Sequence, residues 1–402
     1  MNNIKLDFPI LDKKIRDKAI TYLDSAASTQ KPKQVINSIS EFLENSYENV
    51  HRGMNSLSID ATDLYEKSRD VAKNFINSNS TNEIIFTRGA TDSINIIANS
   101  LAEHLKEGDN IVVTELEHHS NYLPWMNLCK KLGLELKIIP ISKDGILSED
   151  DIINNCDDFT KVLSLTHMSN VTGQILDIKK IKKSINKDTY VAVDGCQSIA
   201  HLKIDVKDLD CDFYSFSSHK LYGPSGIGIM YGKEDILNKL NPPTLGGGMI
   251  NEVSSNDFSY AMLPNKFEPG TPSIEAAIGF KTAMEYLNNN NYQDYFLNEK
   301  KLRSTLIKAL HEFKEVDIYG SNEDGNATSI VSFNIKNQNF NDIATFLDQY
   351  GIMIRGGHHC CQPFMKKLGI PGSCRVSFGI YNDLNDIDHF IDSLKKTLKL
   401  LQ

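Results

Sequence analysis

The sequence predicts an α/β fold: a mostly parallel β-sheet flanked by helices, followed by a smaller α+β unit. Three observations lead there. Between residues 83 and 232, short apolar, β-branched runs alternate with segments of helical periodicity, as in successive β-strand and α-helix units. From about residue 293 onward the order changes to three helical segments interleaved with three apolar runs. The chain has 402 residues with 40% hydrophobic and 24% charged content, ordinary for a globular protein and enough for two domains with a sizeable core.

The elements follow in order. Val35, Ile36, Ile39, Phe42 and Leu43 recur at helical spacing after Pro32. Residues 58–77 predict a second helix with Ile59, Leu64, Val71, Ala72, Phe75 and Ile76 on its apolar face. EIIFT (83–87) predicts a strand, and residues 91–105 a helix with Ile94, Ile97, Ala98 and Leu101 inward. NIVVTE, LELKIIPI, KVLSLTH, TYVAVDG, DFYSFSS and GIGIMYG predict further strands, with a helix over WMNLCKKLG. The Asn288–Asn291 run predicts a polar loop or the edge of a second domain. Beyond it come a helix (about 293–313), the strand ATSIVSFNI, the helix NDIATFLDQYG and the strand IMIR. The strand RVSFGIY and a final helix carrying Ile387, Phe390, Ile391, Leu394, Leu398 and Leu401 close the chain.

Composition excludes several classes. A net charge of −9 gives no general pull toward nucleic acid or an anionic membrane. The N-terminal residues contain no long apolar run, and no window of about 18 apolar residues occurs, so neither a signal peptide nor a membrane span is predicted. The seven cysteines are odd in number and scattered, which predicts reduced thiols and a cytoplasmic protein. Only Cys360 and Cys361 sit among polar residues and glycines.

Ligands of open α/β sheets bind at the carboxyl ends of the strands, so the residues following each strand carry the functional signal. After EIIFT, Arg88-Gly89-Ala90-Thr91-Asp92 opens a helix whose free N–H groups and hydroxyl suit a phosphate, or simply cap the helix. After NIVVTE comes Glu117-His118-His119, with His118 structural or functional. After YVAV, Asp194 is a metal ligand, a helix cap or the partner of a protonated ring nitrogen. After DFYSFSS, Lys220 meets a glycine-rich turn, as a partly desolvated nucleophilic amine or a lysine reaching back to water. Together they are more specific than any one of them. Phosphate anchor, stacking histidine, carboxylate and Schiff-base lysine are what pyridoxal phosphate requires.

With those residues in view, the chain resembles a class V, fold-type I pyridoxal-phosphate enzyme, and most closely a SufS-type (group II) cysteine desulfurase. YLDSAASTQKP, NVHRG, RGATDSIN, ELEHHSN, SNVTG, VDGCQS, SFSSHKLYGPSGIG, FEPGTPS, RGGHHCCQP and CRVSFGIYN match in order and kind, over nearly the whole chain. The resemblance implies a large cofactor-binding domain over residues 20–288 with a mostly parallel seven-stranded sheet flanked by helices. It implies a smaller α+β domain from residues 1–19 and 289–402 that carries the catalytic-cysteine loop.

It also implies roles. Lys220 is the Schiff-base lysine, His118 stacks on the cofactor ring and shuttles protons, Asp194 pairs with the pyridinium nitrogen, and Gln197 contacts the phenolic oxygen. Thr91, Ser217 and His219 hold the phosphate, and Thr271 reaches the phosphate of a neighbouring subunit, which implies a homodimer. Asn170 and Arg375, with Arg355 nearby, bind the substrate carboxylate. Cys360 accepts sulfur from L-cysteine as a persulfide, leaving L-alanine, and hands it to a SufE-like or SufU-like acceptor for iron–sulfur cluster assembly. FLDQYG (346–351) and the lack of histidine near Asn341 favour a SufE-like acceptor. Two residues depart from the family: Cys361 stands where a small non-cysteine residue is usual, and Ala90 replaces a frequent hydroxyl residue. The loop ahead of Cys360 is short, as in the SufS branch rather than the IscS/NifS branch.

RGGHHCCQP (355–363) itself disfavours two alternatives. Adjacent Cα atoms lie about 3.8 Å apart, below the roughly 4.4–6.8 Å of ordinary disulfides. Structural zinc sites space their cysteines, and no second CxxC-type pair exists, so no metal is expected. A nucleophile remains, with Arg355, His358 and His359 placed to favour its thiolate, Gly356 and Gly357 letting the loop bend, and Cys361 pointing away along an extended backbone. The rivals are a selenocysteine lyase acting on L-selenocysteine, a class V aminotransferase, and a non-enzymatic thiol or metal-binding protein.

Overall fold

The computed structural model describes residues 4–51, 53–290, 292–313, 315–320 and 326–401. Arg52 of NVHRG and Asn291 of the asparagine run lie outside the described residues.

Seven strands form the central sheet: β1 Ile84–Thr87, β2 Asn110–Thr114, β3 Glu135–Ile139, β4 Thr160–Thr166, β5 Tyr190–Asp194, β6 Phe213–Ser217 and β7 Gly228–Gly232. Their spatial order is β1-β7-β6-β5-β4-β2-β3. All neighbours are parallel except β7, which runs antiparallel to both β1 and β6. The chain from β6 to β7, residues 218–227, is shorter than the dozen or so residues that a parallel crossover needs, so it reverses. That reversal carries Lys220.

Burial explains why the inner strands are apolar throughout. Ile111 and Val113 pack on one face with Ala192, Phe213 and Met230, while Val112 packs on the other with Leu163, Val191, Tyr214 and Ile229. Both faces are covered, as parallel sheets require. β3, at the edge, is less covered and leaves Glu135 and Ile138 exposed.

Helices α1 Lys33–Asn45 and α2 Ser56–Phe75 pack against α5 Ile274–Asn289, while α3 Ala90–Leu101 and α4 His119–Leu132 pack on each other beside the sheet. Ile94, Ile97, Ala98 and Leu101 of α3 are buried, as their spacing predicts. The predicted faces of α1 and α2 are partly wrong. Val35 and Phe42 are buried, but Ile36, Leu43 and Ile59 are 45%, 49% and 52% exposed. In α2 and at its C-cap the predicted Ala72, Phe75 and Ile76 are buried, and Ala61, Tyr65 and Arg69 join them inside in place of Ile59. Arg69 is buried because Glu268 takes it at 2.6 Å (Nη1–Oε1) and 3.0 Å (Nη2–Oε2), with the Phe86 ring 4.6 Å from its guanidinium.

Asn288 and Asn289 are not a loop but the last turn of α5, Asn290 caps it, and the next helix begins at Tyr292. A short hairpin, β8 Ile250–Val253 with β9 Phe258–Tyr260, projects between β7 and α5. The C-terminal part contains α6 Tyr292–Leu310, β10 Val316–Tyr319, β11 Ile330–Ile335, α7 Phe340–Asp348, β12 Arg355–Gly357, α8 Gln362–Leu368, β13 Ser373–Ser377 and α9 Leu384–Leu401. Its four strands form an antiparallel sheet in the order β10-β11-β13-β12, with Leu302, Phe333, Val376 and Phe390 in its own core. IMIR is not one strand. Ile352–Met353 pairs in parallel with Thr21–Tyr22, and β12 begins at Arg355. This pairing brings the N-terminal LDSAAS segment beside the cysteine loop.

Candidate active site

The carboxyl ends of β5 and β6 and the amino ends of α3 and α4 meet at a cleft of about 190 Å³. His118, Asp194, Ser217, His219 and Lys220 line it from the central sheet. Asn170 and Arg355, His359, Cys360 and Arg375 close it from the other side. Sequence reasoning predicted all of these but His359 as site residues; His359 it gave only as a neighbour of the thiol.

The first wall is an anion cradle. Gly89, at φ 144°, turns the chain from β1 into α3. Ala90 N–H donates to Ser217 Oγ (2.8 Å), and Thr91 Oγ1 shares a hydrogen bond with Ser120 Oγ (2.7 Å). The first intrahelical donor of α3 is Ser93, so the N–H groups of Thr91 and Asp92 face the helix end without a helical partner. The turn lies flat on β7: a Cβ at Gly228 would come within 2.6 Å of both Gly89 Cα and Phe216 O.

The second wall is His118, which caps α4 by accepting the Ser120 N–H on Nδ1 (3.1 Å). That bond leaves the proton of the neutral ring on Nε2. Burial, helped by the Lys220 charge, lowers the His118 pKa to about 3, so the ring is neutral at ordinary pH. At the floor, Asp194 Oδ1 accepts the Cys196 N–H (2.9 Å). Gln197 is buried beside it and donates Nε2 to Ala26 O (2.9 Å) rather than lining the cleft.

Lys220 ends the short helical turn Ser218–Lys220. The carbonyl just before it, His219 O, receives Thr29 N–H (3.0 Å), Thr29 Oγ1 (3.1 Å), Ser28 Oγ (3.2 Å) and Lys31 Nζ (3.0 Å). Lys31 donates to Thr29 O and His219 O, and burial lowers its pKa to about 8. The STQK stretch therefore fixes the Lys220 peptide.

The far wall is cationic. Arg375 is buried, donates Nη1 to Asn170 O (2.9 Å) and Nη2 to Asp24 Oδ1 (3.0 Å), and keeps Nε without a partner among the described residues. Arg355 Nε donates to Asp24 Oδ2 at 3.1 Å. Asn170 Nδ2 donates to His359 O (2.7 Å), which ties this wall to the cysteine loop. Burial lowers the His359 pKa to about 2.

The loop departs from the sequence expectation. It is not extended at the cysteines: His359 and Cys360 have φ 52° and 54°, two successive left-handed non-glycine residues, each costing on the order of 1 kcal/mol. The tight turn leaves Cys360 half-exposed in the cleft and drives Cys361 inward, where it is fully buried with Sγ 3.6 Å from Glu115 O. Burial raises the Cys361 thiol pKa. All seven cysteines are free.

Thr271 is not brought into this cleft. It is exposed and lines a neighbouring groove with Thr87, Arg88 and Gly270, behind the cradle. Sequence reasoning missed Asp24 and Lys31 as supports of the site. Both stand in YLDSAASTQKP, but they precede the sheet, where the strand-end rule gives no signal.

A sheet of this order, with a lysine on the β6–β7 reversal facing an aspartate and an anion-binding helix end, defines a cofactor-dependent enzyme of the aminotransferase kind. The chain belongs to the class-V aminotransferase family, whose model matches residues 21–390. It is 44% identical to a probable cysteine desulfurase of Staphylococcus epidermidis over 393 residues, 97% of this chain and 95% of the relative. A probable cysteine desulfurase of Staphylococcus aureus is 42% identical over 399 residues, 99% of this chain and 96% of the relative. Among solved structures, a cysteine desulfurase from Thermococcus onnurineus superimposes with a TM-score of 0.94 at 35% identity, covering 99% of this chain and 98% of that one. One from Escherichia coli gives 0.91 at 33% identity, covering 100% and 99%. Class-V aminotransferases, the cysteine desulfurases among them, depend on pyridoxal phosphate. No helix among the described residues is long and apolar enough to cross a membrane.

Proposed function

We propose that this protein is a pyridoxal-phosphate-dependent cysteine desulfurase: L-cysteine and the Cys360 thiol become L-alanine and a Cys360 persulfide. The observation that carries it is that Cys360 opens into the same small cleft as Lys220. An aminotransferase has no use for a thiol there.

The residues present suit the cofactor. The open end of α3 with Thr91, Ser217 and His219 would hold its phosphate, Asp194 its ring nitrogen and His118 its ring face, while Gln197 would reach its phenolic oxygen only by releasing Ala26 O. Lys220 Nζ would attach it. Thr271, outside the cleft, would serve the phosphate of a second copy in a homodimer. When bound, the cofactor supplies an electron sink for charge developing at the substrate Cα.

The protein's own groups do the positioning and the proton transfers. Arg375, with Nε still unpartnered, and Asn170 orient the substrate carboxylate, and Arg355 adds charge at the mouth. Lys220 Nζ would take the proton from the substrate Cα. Neutral His118 presents its Nε2–H to the cleft as a hydrogen-bond donor without carrying a charge there. The Cys360 thiolate attacks the substrate sulfur, whose bond to Cβ breaks; the electron pair remains on carbon and is protonated to give the alanine methyl group. A cytoplasmic sulfur-acceptor protein, SufE-like or SufU-like, would collect the persulfide for cluster assembly.

The test is mass spectrometry of the Cys360 peptide after L-cysteine is added without reductant. Wild type should gain one sulfur atom there. Lys220→Ala should gain none and lack the visible absorption of the lysine-bound cofactor. A persulfide in Lys220→Ala, or one on Cys361 alone, would refute the assignment.

A further inference from the structure

Both peptide groups that flank Cys360 are held by histidine residues outside the roles above. Cys360 N–H donates to His358 Nδ1 (3.2 Å), and Cys360 O accepts the His119 N–H (2.7 Å). The His119 ring then reaches forward, and its Nε2 accepts the Gln362 N–H (3.3 Å) at the start of α8. The two rings lie 5.8 Å apart, tilted by 38°. Between these bonds stand the two strained residues, His359 and Cys360. A left-handed pair without glycine persists only where its surroundings enforce it.

We propose that His119 and His358 are positioning residues: their imidazoles clasp the Cys360 turn in its strained form and so aim the thiol into the cleft. The proposal rests on the reading of Cys360 as the sulfur acceptor. Its chemistry is specific. Each ring acts through one acceptor nitrogen, Nδ1 at position 358 and Nε2 at position 119. Asparagine carries its oxygen where Nδ1 stands and glutamine where Nε2 stands, so His358→Asn and His119→Gln should keep the clasp, whereas alanine at either position removes that ring's bond and leaves the backbone bond from position 119 to Cys360 O in place.

The readout is iodoacetamide alkylation of Cys360 in the holoenzyme, followed by peptide mass against pH. The alkaline plateau reports access to the thiolate, and the midpoint reports its acidity, so the two effects separate. His358→Ala and His119→Ala should raise the plateau by about threefold to tenfold, since one hydrogen bond of about 1 kcal/mol is lost in each. His358→Asn and His119→Gln should hold it within about twofold of wild type, within the spread of a conserved bond. Persulfide formation should slow in the alanine variants and recover in the amide ones, with the cofactor absorption unchanged. Alanine variants with the wild-type plateau, or amide variants no better than alanine, would overturn the clasp. If the alanine variants do not fold, the amide variants decide: a plateau raised about tenfold in both overturns it. If the plateau follows this pattern but wild type forms no persulfide, the clasp stands and the sulfur-acceptor reading fails.

Discussion

Arg375 Nη2 donates to Asp24 Oδ1 at 3.0 Å, within the wall that faces Lys220. The same carboxylate holds Arg355 through its other oxygen, so one aspartate from the N-terminal segment sets the direction of both arginines. Arg375 is 2% exposed and Arg355 is at the surface. Losing the carboxylate leaves the buried guanidinium without its counter-charge, the costly half of a broken ion pair.

Asp24→Asn is therefore expected to lower unfolding stability by about 1–3 kcal/mol, less than for a fully enclosed pair because Asp24 retains some exposure. It should raise KM for L-cysteine more than it lowers kcat. Acetate, a small carboxylate, should raise the melting temperature of the variant more than that of wild type. Thermal melts with and without acetate check this; equal shifts would show that Asp24 does not neutralise the arginines.

The cradle makes a steric prediction. A Cβ at Gly228 would meet backbone atoms of Gly89 and Phe216 at 2.6 Å, and neither can rotate away. Gly228→Ala should cost about 3 kcal/mol and weaken cofactor binding by displacing the turn into α3. Cofactor titration followed by absorbance, beside urea unfolding, measures both effects.

Acidity should affect the fold through its buried imidazoles. Burial is the main cause of pKa values lowered to about 3 for His118, about 4 for His167 and His219, and about 2 for His359. Below about pH 6.5 the unfolded chain binds protons at these sites and the folded chain does not, so stability rises with pH from about 4 to 6.5. Two buried carboxyls act the other way. Burial raises Glu117 to about 8 and also raises Glu299, so above about pH 4.5 their contribution falls as pH rises. Four groups outweigh two below about pH 6.5, and above it the two carboxyls outweigh Lys31, which acts the other way only as pH nears about 8. The urea midpoint of the cofactor-free protein should peak near about pH 6.5 and fall toward both about pH 5 and about pH 8. A midpoint that rises steadily to about pH 8 would contradict this.

Much of the fold was legible because the inner strands are covered on both faces and so are apolar without interruption, as in NIVV and YVAV. The site was legible where a polar residue follows such a strand, which picks out Asp194, His118 and the Lys220 turn. Three features were not. Helix faces at a surface edge mislead, because Ile36 and Leu43 have the spacing of a core face yet stay about half exposed among the described residues. The strand IMIR divides because Thr21–Tyr22 pairs with its first half, a contact more than three hundred residues distant in sequence. The turn at Cys360 is left-handed without a glycine, so no local residue preference announces it; hydrogen bonds with His119 and His358 hold it. The role of Asp24 was hidden for a similar reason, since its partners lie at positions 355 and 375.

The most direct measurement is the yield of L-alanine and sulfide from L-cysteine with a reductant present, in wild type and in Cys360→Ser. Desulfurisation through Cys360 predicts equal amounts of both products from wild type. It predicts little of either from the serine variant, which should still show the absorption of the lysine-bound cofactor. Wild-type yields from Cys360→Ser would contradict the account.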